Sequence, residues 1–140
     1  MSSGAATVEP AGAGEWTVRT VRRLGDEAAT GEVVVRADDA PDPGASPHAR
    51  LAAARAWLAV GERSLASGAA EQAVEAARSG LDELGGEYAP EDVKDDTSLK
   101  LAAARGRLAE GATRDAAEVM LRMLRTRTEL YARRHSSLLR

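Results

Sequence analysis

The sequence contains two histidines, His48 and His135, and no cysteine, so few of its side chains can bind a metal or act as nucleophiles. These histidines begin and end the helical part of the chain that is predicted below, so a helical bundle would bring them near one another. Two imidazoles alone make a poor metal site, and nearby carboxylates show neither EF-hand order nor Glu-x-x-His spacing. We therefore predict no metal and no other cofactor.

Motifs of the common enzyme classes are absent: the sequence has no phosphate loop, no Gly-x-Ser-x-Gly elbow and no zincin helix. The nearest enzymatic resemblance is to HEPN ribonucleases, helical bundles that pair an arginine with a histidine a few residues later. Seven residues separate Arg127 from His135, more than that pattern has, whereas Arg133 and Arg134 are too close to His135. We predict that the protein is not an enzyme, with a HEPN-like ribonuclease as a less favoured alternative.

Residues 119–140 are strongly basic, with six arginines and Glu129 as the single acid: Arg122, Arg125, Arg127, Arg133, Arg134 and Arg140. Arginines stabilise the negative end of a helix and can pair with the acidic segment 87–96 of the same chain. The alternative is an anionic partner, including nucleic acid. Nucleic acid is not favoured, because the net charge is -3 and only 3% of the residues are aromatic.

Composition predicts a single small domain whose core is rich in alanine. The 140 residues are 44% hydrophobic and include no phenylalanine. Small side chains favour closely spaced helices and bury little area each. There is neither a signal-peptide pattern nor an apolar run of the roughly 20 residues that span a membrane. We therefore expect a cytoplasmic protein with no membrane partner.

Part of the sequence is duplicated at an offset of 43 positions, and this predicts two helical hairpins. Four of the five residues that begin at Leu65 recur from Leu108, and matching alanines and leucines follow each copy. Apolar residues at three- and four-residue steps predict four helices between residue 48 and about residue 135, the third from about residue 96 to residue 109. The predicted fold is mainly α, either an open repeat or a closed four-helix bundle.

The N-terminal third is predicted to contribute little to that fold. Residues 1–15 are predicted to be disordered, and residues 16–37 to form a small β-hairpin around a break from Gly25 to Gly31. A short helix from Thr17 to Ala29 is the alternative to that hairpin. Residues 38–47 are rich in proline and are predicted to be a linker. The helical-repeat domain is assigned to residues 48–140, so deletion of residues 1–47 is expected to leave its helices unchanged.

Residues 54–87 resemble a tetratricopeptide repeat, because small and aromatic residues stand at the positions of that signature: Trp57, Gly61, Gly68, Ala73 and Gly80. A second, degenerate copy covers about residues 97–130, where Lys100 replaces the aromatic residue and Met123 replaces a small one. The resemblance implies a protein-binding scaffold with a concave groove and no catalytic residue.

The sequence therefore predicts a non-catalytic scaffold or adaptor that binds a protein or a second copy of itself. Its last helix carries more large apolar side chains than one packing face hides, and this predicts a homodimer. The candidate partner-binding residues are Trp57, Met120, Met123, Arg122, Arg125 and Tyr131. The alternative function is a nucleic-acid-associated protein that uses the arginines of the last helix.

Overall fold

The computed structural model describes residues 6–44, 46–85 and 113–135. These residues form three strands and then three helices: β1 (Thr7–Gly12), β2 (Glu15–Leu24), β3 (Glu27–Arg36), α1 (Pro47–Ala66), α2 (Ala70–Leu84) and α3 (Thr113–Arg134). Of the described residues, 56% are helical and 25% lie in strands. The fold therefore mixes α and β structure, and the prediction of a mainly α fold with two helical hairpins is wrong.

The three helices occupy the positions predicted for the first, second and fourth helices of the duplicated unit. The predicted third helix, and with it residues 97–112 of the second repeat copy, lie outside the described residues. The described part of the chain thus supplies three helices and a sheet where the sequence predicted four helices.

The N-terminal segment forms an antiparallel sheet with the strand order β1-β2-β3. The prediction of a disordered N-terminus is wrong from Thr7 onward, because β1 pairs with β2. Thr7 lies opposite Arg19 at one end of this pairing, and Gly12 lies opposite Glu15 at the other. The composition of β1 is poor for a strand, but β1 lies at an edge, where a proline such as Pro10 is tolerated. The prediction for residues 1–5 lies outside the described residues.

The turn between β2 and β3 contains only two residues, Gly25 and Asp26, so the longer predicted break is wrong. Leu24 pairs with Glu27, and the register continues without a shift to the pair of Glu15 with Arg36. Gly25 has a φ of 60°, a conformation that favours glycine. A Cβ atom at Gly25 would also overlap the side chain of Gln72 in α2. The hairpin turn therefore docks on the helices.

Helix α1 lies at the centre of the molecule, with β2 and β3 on one side and α2 and α3 on the other. It begins after Ser46, whose hydroxyl accepts a hydrogen bond of 3.2 Å from the backbone N–H of Ala49. The main hydrophobic cluster joins all the layers: Val18, Val33, Val35, Ala49, Leu51, Ala52, Ala54, Leu84, Leu124 and Tyr131. The sheet and the helices thus share one core.

Two glycines lie where the three helices pack together, and their neighbours show that α1 and α2 form an antiparallel pair. A Cβ atom at Gly61 would lie 3.5 Å from Ala76, and one at Gly80 would lie 3.1 Å from Trp57. An earlier residue of α1 thus contacts a later residue of α2, so the two helices run in opposite directions. Leucines of α3 pack over both glycines, because the same Cβ atoms would lie 2.5 Å from Leu121 and 2.6 Å from Leu124.

Candidate functional site

Three of the predicted partner-binding residues are buried inside the chain. Met120, Met123 and Tyr131 are 2%, 3% and 3% exposed, and the neighbouring Leu121 and Leu124 are also buried. Among the described residues, Val21 in the sheet is the one large hydrophobic residue that is exposed. The premise that apolar residues of the last helix need a second chain to cover them is therefore wrong, and the homodimer stays a prediction without that support.

Trp57, another predicted partner-binding residue, is half-buried and hydrogen-bonded within the chain. Its indole Nε1 donates to Oε2 of Glu83 at 3.1 Å. The same oxygen accepts from Nε of Arg22 at 2.8 Å, and Nη1 of Arg22 donates to the Thr20 hydroxyl at 2.9 Å. This polar network connects the sheet, α1 and α2, so the indole has a structural role in the fold.

Neutralising Glu83 is expected to destabilise the protein. In Glu83→Gln the Arg22 guanidinium, whose side chain is 14% exposed, loses the carboxylate of Glu83. Breaking a largely buried ion pair weakens the compensation of a poorly solvated charge, so we expect a loss of about 2 kcal/mol of unfolding free energy. Urea denaturation measures this loss.

Glu32→Gln is the matched control for that variant. It breaks the exposed ion pair of Glu32 with Arg19, in which the two side chains are 47% and 42% exposed. Exposed pairs contribute about 0–1 kcal/mol, so this variant should lose much less stability. Equal losses in the two variants would contradict a structural role for the Glu83 network.

The structure brings the two histidines close enough to interact electrostatically, as the positions of their helices predicted. Burial lowers the pKa of His48, and the charge of His135 lowers it further. The pKa of His135 is also lowered by burial, and its ring lies 4.7 Å from the Tyr131 ring between centroids. Within residues 6–44, 46–85 and 113–135 no three potential ligands cluster around a metal position.

Arg127, the arginine compared above with the HEPN pattern, is hydrogen-bonded to the end of α2. Its Nη2 donates to the backbone carbonyl of Gly85 at 2.6 Å, and burial lowers the pKa of the guanidinium. Gly85 ends α2 with a φ of 68°. Arg127 thus fixes the C-terminal end of α2 against α3.

The remaining predicted residues, Arg122 and Arg125, are exposed and line a groove between α1 and α3. Two neighbouring clefts that share Arg125 make up this surface, which we call the α1–α3 groove. The first, of about 470 Å³, is lined by Glu62, Leu65, Ala66, Arg114, Glu118, Leu121, Arg122 and Arg125. The second, of about 480 Å³, is lined by Arg55, Leu58, Arg125, Thr128, Glu129, Ala132 and Arg133.

The α1–α3 groove has an apolar floor and a charged rim. Leu121 is buried, and Leu58 and Leu65 are half-buried between the two helices. From Arg55 to Ala66 the groove follows α1 for about 16 Å, at about 1.5 Å per residue. Dimensions and lining of this kind suit an elongated segment with apolar and charged side chains.

Two ion pairs cross or border the groove in its first cleft. Nη2 of Arg125 lies 3.0 Å from Oε2 of Glu62 across the two helices. Nε of Arg114 lies 3.5 Å from Oε1 of Glu118, one turn along α3. These arginines therefore have carboxylate partners within the chain.

Sequence reasoning missed the α1 side of the groove. Arg55, Leu58, Glu62 and Leu65 recur at three- and four-residue steps, and this spacing places them on one stripe of a helix. The stripe was visible in the sequence, but its leucines were counted only among the apolar residues that predicted the first helix. Whether such a stripe is covered depends on the helix that lies beside it, which periodicity does not reveal.

Comparison of the chain with protein families, curated proteins and solved structures gives no match. In the part of the chain that the structure describes, no helix is both long and apolar enough to cross a bilayer.

Proposed function

We propose that the protein is a non-catalytic binding module and that the α1–α3 groove holds a segment of a protein partner. The observation that carries this proposal is the pair of half-buried leucines, Leu58 and Leu65, between charged rims that follow about three turns of α1. Leu58 and Leu65 would contact apolar side chains of the partner, and the rim would orient it. The cytoplasm is the compartment that we propose for this interaction.

The resemblance of residues 54–87 to a tetratricopeptide repeat supports the same class of function. Nucleic acid is the less favoured partner, because several arginines of α3 already have partners in the chain. Arg125 pairs with Glu62, Arg114 pairs with Glu118, and Arg127 bonds to the carbonyl of Gly85. Phosphate binding would have to replace these contacts.

Selection of peptides from a random displayed library, with the full chain as bait, tests the proposal. Ala66 is exposed at the end of the groove beside Leu65. A tryptophan there would fill the first cleft without changing its charge. We expect the Ala66→Trp variant to bind the recovered peptides at least about tenfold more weakly, a loss of about 1.4 kcal/mol.

Ala40→Trp is the matched control, because Ala40 is exposed and does not line the groove. This variant should bind the recovered peptides as the wild type does. Both variants are first compared by thermal melting, so that a loss of binding is not a loss of fold. Recovery of no peptide, or peptides that bind Ala66→Trp unchanged, would contradict a protein-binding groove.

A further inference from the structure

We infer that the segment held in the α1–α3 groove is acidic, and that Arg55 and Arg133 bind its carboxylates beside the apolar contact at Leu58. The inference rests on the proposed function and adds the chemistry of the partner. It concerns the second cleft, which is the part of the groove between Arg125 and Arg133.

The groove is more basic than the protein as a whole. The chain has a net charge of -3, whereas the groove is lined by five arginines and three glutamates. Arg114 and Arg125 are neutralised by glutamates of the groove itself. Arg55, Arg122 and Arg133 form no ion pair with another described residue, and Glu129 is the remaining acid. The local excess of positive charge therefore favours an anionic occupant.

Arg55 is held in place by the sheet and not by a carboxylate. Its Nη1 donates to the backbone carbonyl of Glu32 at 2.7 Å, and burial lowers the pKa of its guanidinium. One carbonyl uses one of the five N–H donors of a guanidinium. The others are available to the groove, on an exposed side chain that this contact orients. A guanidinium forms strong, charge-assisted hydrogen bonds with a carboxylate.

Arg133 stands on α3 in the same cleft and is exposed to solvent. Leu58 of α1 and Ala132 of α3 provide apolar surface beside the two arginines. The cleft therefore offers two cations around an apolar contact. A segment in which acidic residues flank a leucine-like side chain matches this arrangement better than a neutral or basic one.

The experiment uses the peptides recovered with the wild-type chain and measures their affinities by fluorescence anisotropy. We expect the recovered sequences to be enriched in Asp and Glu, and their affinity to fall as salt rises from 50 to 500 mM. The variant Arg55→Gln/Arg133→Glu should bind them at least about tenfold more weakly. Arg133→Glu alone should also lower the affinity for these peptides, so the result does not depend on the contact of Arg55 with the sheet.

Arg78→Glu is the control, because Arg78 is exposed on α2 and does not line the groove. It changes the net charge of the chain as Arg133→Glu does and should leave the affinities unchanged. Peptides whose acidic residues are replaced by lysine should bind the wild type more weakly than the originals.

Several results would overturn the inference. Recovered peptides that are neutral or basic, or acidic peptides that bind the double variant unchanged, would do so. If Ala66→Trp still abolishes their binding, the proposed function stands while the acidic partner does not. Recovery of no peptide would contradict both the proposed function and the acidic partner. A labelled single-stranded oligonucleotide that binds more tightly than every recovered peptide, and loses binding in the double variant, would assign the arginines to nucleic acid.

Discussion

Deletion of residues 1–44 is expected to abolish cooperative thermal unfolding of the remaining chain. Val18, Val33 and Val35 of the sheet are nearly inaccessible and lie in the same cluster as Leu51 and Ala52 of α1. A fully buried valine contributes about 1.5–3 kcal/mol. The loss of three such contacts approaches the whole stability of a small domain, about 5–15 kcal/mol. Differential scanning calorimetry and far-UV circular dichroism measure the result.

The deletion ends before the N-terminal cap of α1, so its effect is not that of a lost cap. Ser46, which caps the helix, and Pro47 are retained. Two point variants give a matched comparison: Val18→Ala removes a buried methyl pair, whereas Val21→Ala acts on a valine that is 44% exposed. We expect about 2 kcal/mol for the first and less than about 0.5 kcal/mol for the second. A deletion variant that melts cooperatively at the wild-type temperature would contradict a shared core.

The helices were predictable from sequence because their large apolar residues follow a helical period. In α3 the apolar residues Ala117, Leu121 and Leu124 follow this period and are all buried. Gly85 ends α2 as its C-cap, with a positive φ of 68°, although its ψ of 176° is not that of the left-handed cap predicted there. Local signals of this kind depend on a few residues that are close in sequence, so they hold whatever the rest of the chain packs against.

The contribution of the sheet to the core was underestimated, because α1 is buried on two sides. Leu51, Ala54 and Gly61 follow a helical stripe and are buried. A second set of buried positions includes Ala52 and Ala56. Alanine is a good helix former at buried and exposed positions alike, so these residues carried no sign that a sheet covers them.

The candidate site was only partly predictable. Arg122 and Arg125 do line the α1–α3 groove, but Met120 and Met123 were assigned to a partner and are buried within the chain. A count of apolar residues on one helix does not reveal how many neighbouring elements surround it. The same reason hid Arg55, whose position depends on a hydrogen bond to a strand 23 residues away in sequence.

Gly31→Ala is expected to lower the unfolding free energy by about 3 kcal/mol or more. Gly31 lies in β3 where α1 crosses the sheet. A Cβ atom there would overlap the backbone carbonyl oxygen of Ala52 and lie 2.6 Å from the backbone nitrogen of Ala56. Overpacking a core costs about 1–3 kcal/mol when side chains can yield. Here the obstructing atoms belong to the helix backbone, so α1 as a whole must move away from the sheet.

Gly12→Ala makes the same chemical change in the same sheet without this obstruction. The nearest atom to a Cβ at Gly12 is Oε1 of Glu15 at 3.4 Å, which is an ordinary contact with a flexible side chain. Replacing a glycine whose backbone conformation suits alanine reduces the entropy of the unfolded chain, so this variant should be neutral or stabilised by up to about 1 kcal/mol. Urea denaturation of both variants therefore isolates the cost of separating α1 from β3. If Gly31→Ala were as stable as Gly12→Ala, the helix would not approach the sheet as closely as the structure has it.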